Sequence, residues 1–118
     1  MSANTYQIIP DLAAVAAEHL REASPDRNIH GHKVYTDSHV KILILPFCAG
    51  QSPAECQSPH AGTLQVLKGR GEVTLGDETR AVEEGALIVL PPNLTHGIKA
   101  ETEMAVLLQV FLHQDQTP

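Results

Sequence analysis

Seven histidines and two cysteines carry most of the chemistry open to this chain of 118 residues, because imidazole exchanges protons near neutral pH and both imidazole and thiolate bind metals. His30 and His32 alternate around Gly31, a spacing that puts both imidazoles on one face of a strand and by itself suits a metal. They precede the first core strand, so a solvated pair is the expectation. His39 opens a strand, His19 falls on a helix and His113 lies near the tail, and none of the three is assigned a role. Cys48 and Cys56 stand on either side of a Gly/Pro loop and read as reduced thiols rather than as a disulfide framework.

Other chemistries find no pattern here. There is no glycine-rich phosphate loop, no nucleophile elbow around a serine, and no cysteine whose sequence neighbours would activate it. Glu83 and Glu84 are adjacent on a turn, where side chains point apart, and read as a solvated hairpin. Fourteen acidic residues against eight basic ones give a net charge of −6, which repels phosphate backbones. Tyr6, Tyr35, Phe47 and Phe111 are too few and too scattered for a base-stacking platform, so no nucleic-acid partner is expected. No segment approaches the ~18 apolar residues of a membrane span, which predicts no membrane partner. Residues 1–10 lack the basic, apolar and cleavage features of a secretory signal, which favours the cytoplasm.

The elements that must position these groups follow from periodicity. One domain over residues 1–118 is expected from the length. Leu12, Val15, Ala16 and Leu20 recur at helical spacing behind Pro10 and before Ser24-Pro25, predicting one slim helix over about 10–22. From about 30 to 112 the period becomes two, with turn signals every eight to twelve residues, the rhythm of a sandwich or barrel. Strands are predicted over 32–36, 39–47, 63–67, 71–75, 79–82, 86–90, 96–100 and 104–112, and a frayed tail over 114–118. The runs Val40–Leu45 and Ala86–Leu90 are almost continuously apolar, which predicts cover on both faces. The last strand, Ala105–Val110 with Phe111, is similar, and a homodimer is the economical way to hide the surplus.

The segment Gly85-Ala86-Leu87-Ile88-Val89-Leu90-Pro91-Pro92-Asn93-Leu94-Thr95-His96 resembles the second cupin motif: glycine, five residues, proline, then glycine or asparagine and, three further on, histidine. Ala49-Gly50-Gln51 through Leu64-Gln65-Val66-Leu67-Lys68-Gly69 resembles the first, with the hairpin Gly71–Val82 between them. The chain is thus similar to small single-domain cupins. The resemblance implies an all-β fold, a double-stranded β-helix (jelly-roll) barrel with one short N-terminal helix.

In that family the first motif carries His, any residue, His, a gap of three or four, Glu, then six residues to a glycine. Anchored on Gly69, the glutamate place falls on Gly62 and the histidine places on Cys56 and Ser58. His60 lies close by in the Ser58–Gly62 loop. The resemblance therefore implies His96 as the principal site residue, with His96, His60 and Cys56 as the metal-ligand set and Glu55 more distant. A thiolate with two imidazoles suits a divalent transition metal such as zinc, nickel or copper better than the iron of a dioxygenase, and a metal-free barrel is an equal expectation. Gln65 and Gln109, polar residues within apolar strands, are the candidates to orient a ligand together with His96, with bonding to backbone the commoner alternative. An amide left unpaired in the interior would cost about 1–3 kcal/mol. The leading expectation is a cupin that binds a small organic molecule, with or without a metal. The alternatives are a metal-dependent dioxygenase or isomerase using His96, His60 and Cys56, and a dimeric regulatory module whose barrel binds nothing.

Overall fold

The structure, a computed structural model, describes residues 6–26 and 28–112. His113 and the tail over 114–118 lie outside the described residues. One helix and eight strands follow in order: α1 (Leu12–Glu22), β1 (His32–Thr36), β2 (Val40–Phe47), β3 (Gly62–Lys68), β4 (Arg70–Leu75), β5 (Glu78–Glu83), β6 (Leu87–Leu90), β7 (His96–Ala100) and β8 (Met104–Phe111). Helix α1 starts where Asp11 can accept from the free backbone N–H of Ala14, at 3.1 Å, the usual way an aspartate caps a first turn.

Two antiparallel sheets face each other, one of five strands in the order β1-β2-β8-β3-β6 and one of three in the order β5-β4-β7. Apart from β1-β2 and β4-β5, neighbouring strands are far apart in sequence, the mark of a jelly roll. The chain changes sheet between β3 and β4 through Gly69 alone. There φ is +79°, and a Cβ would overlap the Glu103 carbonyl oxygen, so only glycine fits the corner.

Between the sheets the inward positions of both close into one core of Phe47, Leu64, Val66, Val73, Ile88, Leu90, Ile98, Met104 and Val106. Strand register assigns the faces. Leu108 lies opposite Leu64 and faces in, while Gln109 lies opposite Thr63 and Ile42 and faces out. On the outer face, α1 lays Ala16 against Ile44, Ala105 and Leu107, all buried, with Leu12, Val15 and Leu20 around them. The alanine lets the helix approach closely, which gives β2 the cover on both faces that its apolar run predicts.

Strand β6 departs from that expectation. Its residues alternate: Ile88 and Leu90 are buried, whereas Leu87 and Val89 are 61% and 67% exposed. The strand lies at the sheet edge, beyond the reach of α1, so the chain itself covers only one of its faces.

Candidate functional site

The barrel mouth is built where the turn ahead of β7 meets the loop ahead of β3. Pro91 and Pro92 end β6, and Asn93 reverses the chain with φ at +68°, a left-handed conformation that asparagine tolerates better than most residues. The Asn93 N–H donates to the Ser58 carbonyl at 2.7 Å, and the Gln57 side-chain amide donates to the Asn93 carbonyl at 2.6 Å. Two residues on, Cys56 and His96 exchange both backbone hydrogen bonds at 2.9 Å, an isolated antiparallel bridge.

Residues directly opposed in such a bridge point their side chains to the same side. The Cys56 Sγ accordingly lies 3.2 Å from His96 Nε2. The other ring nitrogen, Nδ1, lies 3.1 Å from the Leu94 carbonyl oxygen, which can only accept. Nδ1 therefore carries the proton and donates, and in the neutral ring Nε2 presents its lone pair to the thiol. Thiol, imidazole and backbone carbonyl thus form one chain of contacts.

Beneath this pair opens a cavity of about 130 Å³. Leu90, Leu94, Leu108 and Val110 supply aliphatic wall, and Ser58 and half-buried His60 join Cys56 and His96 at its polar edge. Cys56 itself is exposed, so solvent reaches the rim.

The structure thus brings together three of the sequence-predicted residues, His96, Cys56 and His60. Ser58 and Gly62 line the same cavity, so all the places counted from Gly69 converge on it. Gln65 and Gln109 do not. Gln65 is exposed, and both lie on the outer face of the larger sheet, where the Gln109 carbonyl oxygen of the amide accepts from the Thr63 hydroxyl at 3.4 Å. An outward amide meets solvent or a neighbour rather than an interior ligand. Glu55 is also turned away: its side chain lies against Gly97, on the face opposite to Cys56 and His96.

The metal-ligand places of the first motif are not filled by residues that fit a metal. Among the described residues no three His, Cys, Asp or Glu side chains form a group that could hold a metal. Ser58 and Gly62 replace strong donors, and a Cβ on Gly62 would come within 2.5 Å of the Gln109 backbone oxygen, so no side chain enters there without moving β8.

A second histidine group was legible only in part. His32 stacks on His19 of α1, ring centroids 3.7 Å apart and planes 13° apart, and with His30 and Glu22 they border a separate cavity of about 140 Å³. Burial, then the His19 ring, lowers the His32 pKa below the ordinary 6.5; His30 adds to the shift and Glu22 opposes it. Nothing local in sequence joins His19 to His32, since the contact depends on where α1 docks.

No helix among the described residues is long and apolar enough to cross a membrane. An uncharacterized protein of Aquifex aeolicus is 36% identical over 52 residues, which are 44% of this chain and 43% of that protein, so the match spans less than half the length of the curated relative. Among solved structures, a cupin superfamily protein from Desulfitobacterium hafniense superposes with a TM-score of 0.77 at 19% identity, over 94% of this chain and 97% of that one. A salicylate 1,2-dioxygenase from Pseudoaminobacter salicylatoxidans superposes with a TM-score of 0.61 at 23% identity, over 63% of this chain and 21% of that one. At these identities the two structures share the fold with this chain. The cupin domain family itself matches residues 49–111, from the loop that carries Cys56 to the end of β8, and the chain belongs to that family.

Proposed function

We propose that the protein is a small-molecule-binding cupin, which holds a compact organic ligand with an apolar body in the cavity beneath His96. The composition of that cavity carries the reading: aliphatic walls from several elements surround a space whose few polar groups gather at one edge. At about 130 Å³ it is well below the ~300–1,000 Å³ of drug-sized sites, which suits a single ring or a short chain. The reading does not require a metal.

Native mass spectrometry and elemental analysis of protein purified without added ions test it. The expected result is an organic occupant, or saturable binding of small ring ketones that shifts the Leu94, Leu108 and Val110 amide resonances and is lost when Val110→Phe fills the cavity. Equimolar transition metal that disappears in His96→Ala would replace this reading with the metal-dependent enzyme using His96, His60 and Cys56. A cavity that takes no probe at all would favour the regulatory module.

The reading includes a homodimer in which a second copy covers the exposed side of β6. Leu87 and Val89 stand on an edge strand beside uncharged Thr63 and Gln65. Antiparallel pairing of β6 with its own copy across a two-fold axis would satisfy the open edge and set Leu87 and Val89 beside their counterparts on one continuous apolar face. Replacing both residues, Leu87→Glu with Val89→Glu, is expected to convert a dimer to a monomer in light scattering. Wild-type protein that is monomeric at high concentration would refute this.

A further inference from the structure

We infer that Cys56 is a nucleophile with His96 as its proton acceptor, so that the cavity can take a conjugated carbonyl compound and hold it covalently through sulfur. The inference rests on the small-molecule reading and adds a reaction to it. Three observations carry it. The thiol is 3.2 Å from Nε2, the one ring nitrogen left with a lone pair once Nδ1 donates to the Leu94 carbonyl. The backbone bridge between Cys56 and His96, with the Asn93–Ser58 bond beside it, holds both groups in that geometry before any ligand arrives. And both side chains border the apolar cavity while Cys56 stays open to solvent.

A thiol is a weak nucleophile until its proton is removed, and a fixed imidazole at hydrogen-bond reach is the common means of removing it. The reaction balances within these groups. His96 Nε2 takes the thiol proton as the sulfur forms a bond to the β-carbon of a C=C–C=O unit. The π-electron pair moves toward the carbonyl as an enolate, and the imidazolium returns its proton to the α-carbon. The sum is addition of S–H across a double bond, with no leaving group, oxidant or reductant. A conjugated enone suits both halves of the site: its hydrocarbon body meets Leu90, Leu94, Leu108 and Val110, and its reactive end lies at the rim. Cys48, half-buried and not part of this cavity, is an internal reference.

The experiment incubates the full chain, His96→Gln and Cys56→Ser with cyclohexenone and follows adducts by intact mass and peptide mapping. Cyclohexanone, which lacks the reactive double bond, is titrated in parallel by NMR. The expected result is a single adduct on Cys56, formed at least about tenfold faster than on Cys48 and slowed about tenfold or more in His96→Gln, the low side of what general-base assistance supplies. Cys56→Ser should give no rapid adduct. If cyclohexanone binds but Cys56 reacts no faster than Cys48, or equally fast in a folded His96→Gln, the covalent inference falls and the small-molecule reading stands. If cyclohexanone does not bind and no adduct forms, both fall. Should His96→Gln fail to fold, the rate of wild-type Cys56 against that of a free cysteine peptide at the same pH decides: a Cys56 no faster than the peptide overturns the inference.

Discussion

Two histidine sites sit on this barrel, and they use the imidazole in opposite ways. At the mouth, His96 has each ring nitrogen aimed at a partner, one at a carbonyl and one at a thiol, and a cavity lies beside it. Under the helix, His19 and His32 meet face to face, and His19 Nδ1 is buried with no hydrogen-bond partner among the described residues. Stacking uses the ring as an apolar plate, while Glu22 Oε1 stands 4.0 Å from His19 Nδ1, beyond hydrogen-bond reach. Reactivity therefore follows from what the nitrogens face, and a larger number of imidazoles does not make a better site.

The largest effect is expected from forcing the mouth toward a metal-binding pattern. Gly62→Glu restores the carboxylate of the first cupin motif by sequence, but its Cβ would press on the Gln109 backbone oxygen in the neighbouring strand. Overpacking against backbone costs about 3 kcal/mol, the upper end for small-to-large changes, and should lower Tm by roughly 10 °C. The variant should bind no zinc or nickel by calorimetry. A variant of unchanged Tm that acquires stoichiometric metal would show the mouth to be a metal site short of one ligand.

A smaller effect is expected at the turn that aims His96. Asn93→Ala keeps φ at +68° with a side chain less suited to it, at a cost of about 1 kcal/mol, whereas Asn93→Gly should be close to neutral. If the turn positions the pair, the alanine variant also slows Cys56 alkylation while leaving Cys48 unchanged. Equal stability of the alanine and glycine variants would remove the turn from the account.

These positions also show where the sequence was legible. Strand boundaries came within about a residue of the observed ones, because apolar alternation and turn glycines are local signals; β7 starts at His96 as expected. The places counted from Gly69 reach one cavity for the same reason, since the spacing runs back along β3 and its length fixes where the loop of Cys56 and Ser58 begins. The inward reading of Gln65 and Gln109 does not hold for two different reasons: Gln65 shares the outer face of β3 with Thr63 by plain alternation, whereas β8 is apolar on both sides and only its register against β2 and β3 turns Gln109 outward. The family resemblance places Cys56 near His96 as a fellow ligand, but the direct thiol–imidazole contact leaves no local signal, because its residues are 40 positions apart and a single bridge has no periodic trace. The same distance problem hid the His19–His32 stack.

The smallest effect concerns that stack, and its sign can be worked out. His32 has a folded pKa below the ordinary 6.5, chiefly through burial and then through the neighbouring His19 ring, with His30 acting the same way and Glu22 against them. Below about 6.5 the unfolded chain therefore takes up a proton that the folded chain resists, so this contribution to stability is complete above that value and fades as pH falls through it. Acidification from pH 7 to pH 5 should lower Tm, and the slope should be shallower in His32→Gln and in His19→Gln, each of which removes one ring of the stack. Thermal melts across that range decide the matter: an unaltered slope in His32→Gln would mean that the stack does not resist protonation, and the contrast between the two histidine sites would lose its energetic half.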